Sequence, residues 1–460
     1  MKFERVLVLG GSIGGLLAAA ALSEHFREVV IVDRDELLVE GEAARMPRRG
    51  VPQGDQVHHL LLLGRDVIEE LVGGVDDALL AEGSRHYDPA ADFAQFTSGR
   101  WLVRARSDLT ITCFRRPVFE WVIRRSVLSL PNVTVHQGMA LGLTASPDGS
   151  RVTGARVKNA PDARIDADLV VDATGRGSRS PLWLEDLGYE RPEEAHLRIY
   201  MGYSSFHIEL GYELPDGLAG ITCSSSPGAA MPGGAALRPT DNGRFMVIAS
   251  GVMRQYPPTT MDEMLCFLRS MPTPVLADAV EHGSPLSAIS SYQMAGNQRR
   301  YWERLERRPE GFVVLGDAVA SFNPVYGQGM TTAAVGARTL RDVVASADSI
   351  DGVASAFQNA LAPWVDIAFE NALAVDASVP GAEFENIDPP SDVDPGFRRA
   401  LAEIQSEDVD VMLAVRRATL YLSPGELLRS DIQDRVAQWI SSNASVRPEV
   451  RDPLRLPRLV

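Results

Sequence analysis

At 460 residues, 45% of them hydrophobic, the chain can bury a sizeable core and divide into two or three domains. A formal net charge of −16 argues against nucleic acid and against an anionic membrane surface as partners. Cys113, Cys223 and Cys266 are scattered, with no C-x-x-C and no H-E-x-x-H, which argues against a redox disulfide or a metal centre and fits a reducing cytoplasm.

The first predicted element is RVLVL, residues 5–9, a short buried strand bounded by glycine. A helix is expected over 13–26 and a second buried strand, EVVIVD, over 28–33. The helix's apolar run over 14–22 is too short to span a bilayer and reads neither as an anchor nor as a secretory signal. Strand, glycine turn, helix and second strand are the context of a dinucleotide fingerprint. Gly10 permits the tight exit from the strand, and Gly15 lets the helix lie on the sheet. The helix N-terminus offers N–H groups to a pyrophosphate. Asp33, ending the second strand, is placed to accept from a ribose. The middle glycine is replaced by Ser12, whose hydroxyl is available to a phosphate.

A third strand is expected before Asp172, leading into the small-residue turn DATGRGSR over 172–179. The pattern then changes. Residues 197–251 read as antiparallel strands, with a hairpin signal at Asn242-Gly243. Tyr200, Tyr203, Phe206, Met231, Phe245 and Met246 are the candidates to line a cavity, with Tyr203, Phe206, Met231 and Phe245 taken as the substrate contacts. A helix is expected over 261–271. FVVLGD, 312–317, is another buried strand, and its Asp317 lies at a strand end, where open α/β sheets bind ligands. The turn NPVYGQG, 323–329, then delivers a helix over 330–345. The N–H groups of Gly329 and Met330 suit a flat ring that gains negative charge on reduction. Helices follow over 353–375 and 397–421, separated by the Pro/Asp-rich break NIDPPSDVDPG, and read as a cap.

Three segments carry a likeness to a known family: RRGVPQGDQVHHLL (48–61), VVDATGRGSR (170–179) and RRYWERLERRPEGFVVLGDAVASFNPVYGQGM (299–330). In this order they resemble FAD-dependent monooxygenases built like p-hydroxybenzoate hydroxylase. The closer similarity is to the flavin epoxidases of polyether antibiotic biosynthesis, the monensin and lasalocid type. The resemblance implies an α/β fold: a Rossmann-like FAD-binding domain, an inserted antiparallel-sheet substrate domain and a C-terminal helical region. The expected division is 1–70, 107–185 and 300–345 for FAD, 71–106 and 186–299 for substrate, and 346–460 for the helical cap. It also implies cofactor contacts at Gly10, Ser12, Ile13, Gly15, Asp33, Arg34, Arg48 and Arg116. Leu141, Asp172, Gly316, Asp317, Pro324, Gly327, Gly329 and Met330 complete that set. Asp55 and Gln56 stand where those relatives carry Arg and His. The turn Asp-Ala-Thr-Gly replaces the Asp-Gly of the aromatic hydroxylases.

The implied reaction passes one oxygen atom of O2, through a flavin C4a-hydroperoxide, to an alkene of a large apolar polyketide-like intermediate. The alternative is hydroxylation of an aromatic or other secondary metabolite; a flavin reductase and a non-catalytic flavin-binding protein are the further rivals. An alkene needs no protein base, whereas a phenol does. Arg48, His58 and Tyr326 are the candidates for such a group near the ring. With one dinucleotide fingerprint only, electrons are expected from NAD(P)H bound in a groove or from a partner flavin reductase.

Overall fold

The structure is a computed structural model; it describes residues 1–56, 58–224, 233–389, 395–443 and 456–459. Chain order runs β1 (Phe3–Leu9), α1 (Ile13–Leu22), β2 (Phe26–Asp33), β3 (Phe93–Thr97), α2 (Arg116–Val127), β4 (Val133–Gln137), β5 (Leu169–Asp172) and β6 (Glu194–Glu209). It continues with β7 (Gly220–Ser224), β8 (Gly233–Pro239), β9 (Phe245–Gly251), β10 (Ser290–Arg300), β11 (Phe312–Val314), α3 (Gln328–Ser346), α4 (Val353–Asp376) and α5 (Val409–Leu420). Shorter elements lie between them.

The first sheet is parallel throughout, in the order β11–β5–β1–β2–β4. Its central strands are apolar along their length because helices cover both faces; Val6 to Leu9 are fully buried. Helix α1 is apolar all round for the same reason, since it sits between the sheet and α3. The glycine at its start has a steric cause. A Cβ on Gly15 would stand 1.8 Å from the carbonyl oxygen of Gly10, so no other residue lets helix and strand approach so closely.

The second sheet is large and mostly antiparallel, running β10–β6–β9–β8–β7–β3, with β3 joining parallel to β7. Asn242 and Gly243 form the β8–β9 connection in left-handed conformations, φ 59° and 70°. One face, through Phe206, Ile208, Ile221 and Leu237, packs on helices Met261–Arg269 and Val275–His282. The opposite face turns towards the first sheet.

Helix α4 packs along α3. The helix expected over 397–421 is two, Pro395–Ile404 and α5. The cause of the break is Asp408, whose carboxylate caps α5 by accepting from Val411 N at 3.1 Å. Among the described residues no helix is long and apolar enough to cross a membrane, and no cluster suits a metal ion.

Candidate active site

A cleft of about 880 Å³ follows the carboxyl ends of β1, β5 and β11, the edge where a parallel sheet presents its loops. At one end it is lined by Gly10, Ser12, Ile13, Asp33, Arg34, Arg48 and Arg116. Helix α1 has no side-chain cap and no acid in its first turn, so its N-terminal N–H groups and positive dipole end are open to an anion. Asp33 accepts from Gly11 N at 2.6 Å and Asp35 N at 2.8 Å, which fixes the turn while leaving the carboxylate on the cleft wall.

Beneath this turn lies Glu120 of α2, which the sequence reading missed. It accepts from Arg48 Nε at 2.6 Å and Ser12 Oγ at 2.9 Å, and pairs with Arg116 at 2.8 Å and Arg124 at 3.2 Å. Burial would raise its carboxyl, but Arg116 and Arg48 outweigh that and hold it at about 2. The signal was the i, i+4 spacing of Arg116, Glu120 and Arg124 within an otherwise apolar helix face.

This network bears on two expectations. The Ser12 hydroxyl is not free for a phosphate, since it donates to Glu120 and accepts from Arg116 at 3.0 Å. The Arg48 guanidinium lines the cleft near the start of α1, where its partners are Glu120, Asp33, Asp35 and the carbonyl of Gly11. Three further cofactor expectations lie outside the cleft. Gly15 sits beneath it as a packing residue. Leu141 points to solvent, and its neighbours Met139 and Ala140 line the wall instead. Asp172 is fully buried and shapes the next turn, accepting from Thr174 N at 2.9 Å and from the hydroxyls of Thr174, Ser178 and Ser180. That turn places Arg176 and Arg179, not singled out from sequence, in the cleft.

At the other end Gly316, Asp317, Pro324, Gly327, Gly329 and Met330 all line the space. Helix α3 begins there after Gly327, held at φ 65°, again with no side-chain cap and no acid in its first turn. Asp317 is the informative residue: among the described residues its carboxylate accepts no hydrogen bond. Burial raises it, opposed by Arg176 and Arg116. A cleft-wall acceptor without a donor suits a polyhydroxyl chain. With a helix N-terminus at each end and this acceptor between, the residues fit FAD.

The ring-end turn is held from behind. Asp376, at the end of α4, accepts from Tyr326 Oη, from Asn297 Nδ2 at 2.7 Å and from Asn323 Nδ2 at 3.3 Å. Tyr203 donates to Asn323 Oδ1. Tyr326 is therefore a tether rather than a ring-facing acid or base; burial and Asp376 raise its phenol. His58 does line the cleft, with Nδ1 2.9 Å from the Gln56 carbonyl oxygen. Burial and Arg116 push it down to about 3, so it is neutral near pH 7 and a poor proton acceptor.

The substrate expectations divide by strand face. Tyr203 pairs across β6–β10 with Tyr292, a cleft residue, so it is on the cavity side, though its hydroxyl is spent on Asn323. Met246 shares that side, packed with Tyr203. Phe206 and Phe245 are on the reverse face, against the helices Met261–Arg269 and Val275–His282. Side chains alternate along a strand, and the register puts these two outside the cavity. Met231 lies outside the described residues.

Residues 242–360 match the squalene epoxidase family model. Protein Rv3254 of Mycobacterium tuberculosis is 31% identical over 364 residues, covering 75% of this chain and 74% of that protein. Among solved structures, the flavin-dependent brominase Bmp2 superposes with TM-score 0.59 at 14% identity, over 97% of this chain and 96% of that one. PqsL, a probable FAD-dependent monooxygenase from Pseudomonas aeruginosa, gives TM-score 0.58 at 18% identity, over 92% and 99%. By its likeness to Rv3254 the chain belongs to that protein's family, and its architecture is the fold it shares with Bmp2 and PqsL.

Proposed function

We propose that the protein adds one oxygen atom of O2 to an alkene of a large, apolar, polyketide-like molecule. The observation that carries the reading is Asp317, without a hydrogen-bond donor among the described residues, beside the N-terminus of α3 and in one cleft with the N-terminus of α1. FAD bound there supplies the reducible ring that brings electrons to O2. The residues' work is positional. Asp317 accepts a sugar-alcohol hydroxyl. The first N–H groups of α3 stabilise negative charge on the ring's edge. The Asp376 tether keeps that turn in place.

The choice of alkene over phenol rests on proton chemistry. Hydroxylation of a phenol needs a base, and the three side chains expected at the ring are unsuited: Arg48 is a guanidinium paired with Glu120, His58 sits at about 3, and Tyr326 is bound to Asp376. An alkene supplies its own electron pair. The match to the squalene epoxidase family model over 242–360, which includes the ring turn, supports the same reading. Electrons come from NAD(P)H bound in the open cleft or from a partner flavin reductase.

The test uses FAD-loaded protein, an apolar polyene such as squalene, and 18O2, with NADH or NADPH, each with and without added flavin reductase. The expected product is heavier by one labelled oxygen atom. Oxygen consumption without a labelled product refutes the reading.

A further inference from the structure

The face of the second sheet that carries the cleft residues Tyr292 and Met294 continues across five further strands. Its register gives one unbroken row of directly opposed residues: Ser290, Ser205, Ile248, Ala236, Thr222 and Gln95, on β10, β6, β9, β8, β7 and β3. Residues two apart on a strand share a face. The row therefore lies on the same side as Tyr292 and Met294, which line the cleft. Arg238, two residues on from Ala236, lies on that side as well, and so does Phe93, two residues before Gln95. β8 is three strands from β10, about 14 Å at the usual strand spacing.

Two guanidiniums converge at this far end. Arg238 stacks on the Phe93 ring, 4.6 Å from its centroid; among the described residues its guanidinium makes no hydrogen bond or ion pair. Arg416, on α5, donates from Nη2 to Gln95 Oε1 at 2.9 Å, and its buried Nε has no partner. Among the described residues neither guanidinium forms an ion pair. Cys113, beside Arg238, is a thiol pushed up to about 12 by burial. Asp88, whose charge reaches Arg416, is already occupied by the N–H groups of Ala90, Ala91 and Ser107 and by the Ser107 hydroxyl. Burial and the nearby Arg238 push Arg416 down to about 10, still charged near pH 7. His59 connects this pair with the cleft. It lines the cleft, and burial, Arg238 and Arg416 push it down to about 3. Two charges held together without an anion are costly, and a ligand's anion relieves that cost.

We propose that Arg238 and Arg416 bind a carboxylate at one end of the substrate, whose apolar body runs back along the sheet towards the flavin. That the carboxylate belongs to a substrate rests on the monooxygenase reading; the anion site itself does not. A long apolar carboxylic acid is the ligand class that suits both the two guanidiniums and the intervening Met246, Ile248 and Ala236.

Octanoate and 1-octanol serve as probes, titrated calorimetrically into FAD-loaded protein. Octanoate is expected to bind at least about tenfold more tightly than octanol, as charge-assisted hydrogen bonds imply. R238Q and R416Q should each erode that preference, the double substitution should abolish it, and R238K should restore part of it. Variants are compared only when their flavin absorbance and far-UV circular dichroism match the parent. Equal binding of the two probes by the parent protein overturns the proposal, as does a preference that survives the double substitution. Oxygen transfer plays no part in this titration. Failure here leaves the monooxygenase reading standing, and octanoate binding by a protein that oxygenates nothing overturns only that reading.

Discussion

Asp317 and Glu120 are carboxylates in opposite circumstances, and each predicts its own outcome. Glu120 has three guanidinium partners. Replacing it with Gln leaves those charges around a neutral amide, a loss of about 3–5 kcal/mol by the precedent of broken buried pairs. Its folded value of about 2 lies below the ordinary 4.5. Its stabilisation is therefore complete above pH 4.5 and is lost as pH falls towards 2. Urea midpoints measured across that window should fall steeply for the parent and less for E120Q. Asp317, with no donor among the described residues, should act through the cofactor: D317A should weaken FAD binding by about tenfold to a hundredfold, read by flavin fluorescence, with little change in the apoprotein's urea midpoint. Asp317 was legible because Gly-Asp closes a buried strand. Glu120 was not, because Arg48, 72 residues upstream, reaches it only through tertiary packing.

Among elements, α4 does more than cap the fold. Its last residue, Asp376, gathers Tyr326, Asn297 and Asn323 from the ring-end turn and β10. Y326F removes one strand of that tether without touching the cleft wall. We expect faster amide exchange over 323–330 and more oxygen consumed per product formed, with FAD still retained; unchanged exchange would remove the tether's role. The turn itself was readable from its glycines, but its anchor was not, since nothing local to the Asp376 segment announces a partner 50 residues upstream. Strand faces were hard to read for a different reason. In β6, residues 201–206 are all buried, so the usual apolar–polar alternation is masked, and Phe206 could be assigned to a face only by its cross-strand partner Val247.

For the molecule as a whole, the parallel sheet and the nucleotide turn were legible because each is a contiguous strand–turn–helix unit. The pair Arg238 and Arg416 was not, because they come from β8 and α5, far apart in sequence and brought together only by tertiary packing. The order of the first sheet has a temporal consequence. β1 and β2 are made early, yet β11, flanking β5, and the Asp317 turn are contributed more than 300 residues after Gly10. The nascent chain thus leaves the ribosome for most of its synthesis with an unfinished sheet edge, and such distant pairings form slowly. Because the ring-end turn is made late, FAD is expected to bind after the early strands have formed. On refolding from denaturant with FAD present, quenching of flavin emission should trail the recovery of secondary structure, and cells short of riboflavin should accumulate full-length chains that are folded in outline but sensitive to proteases around residue 320.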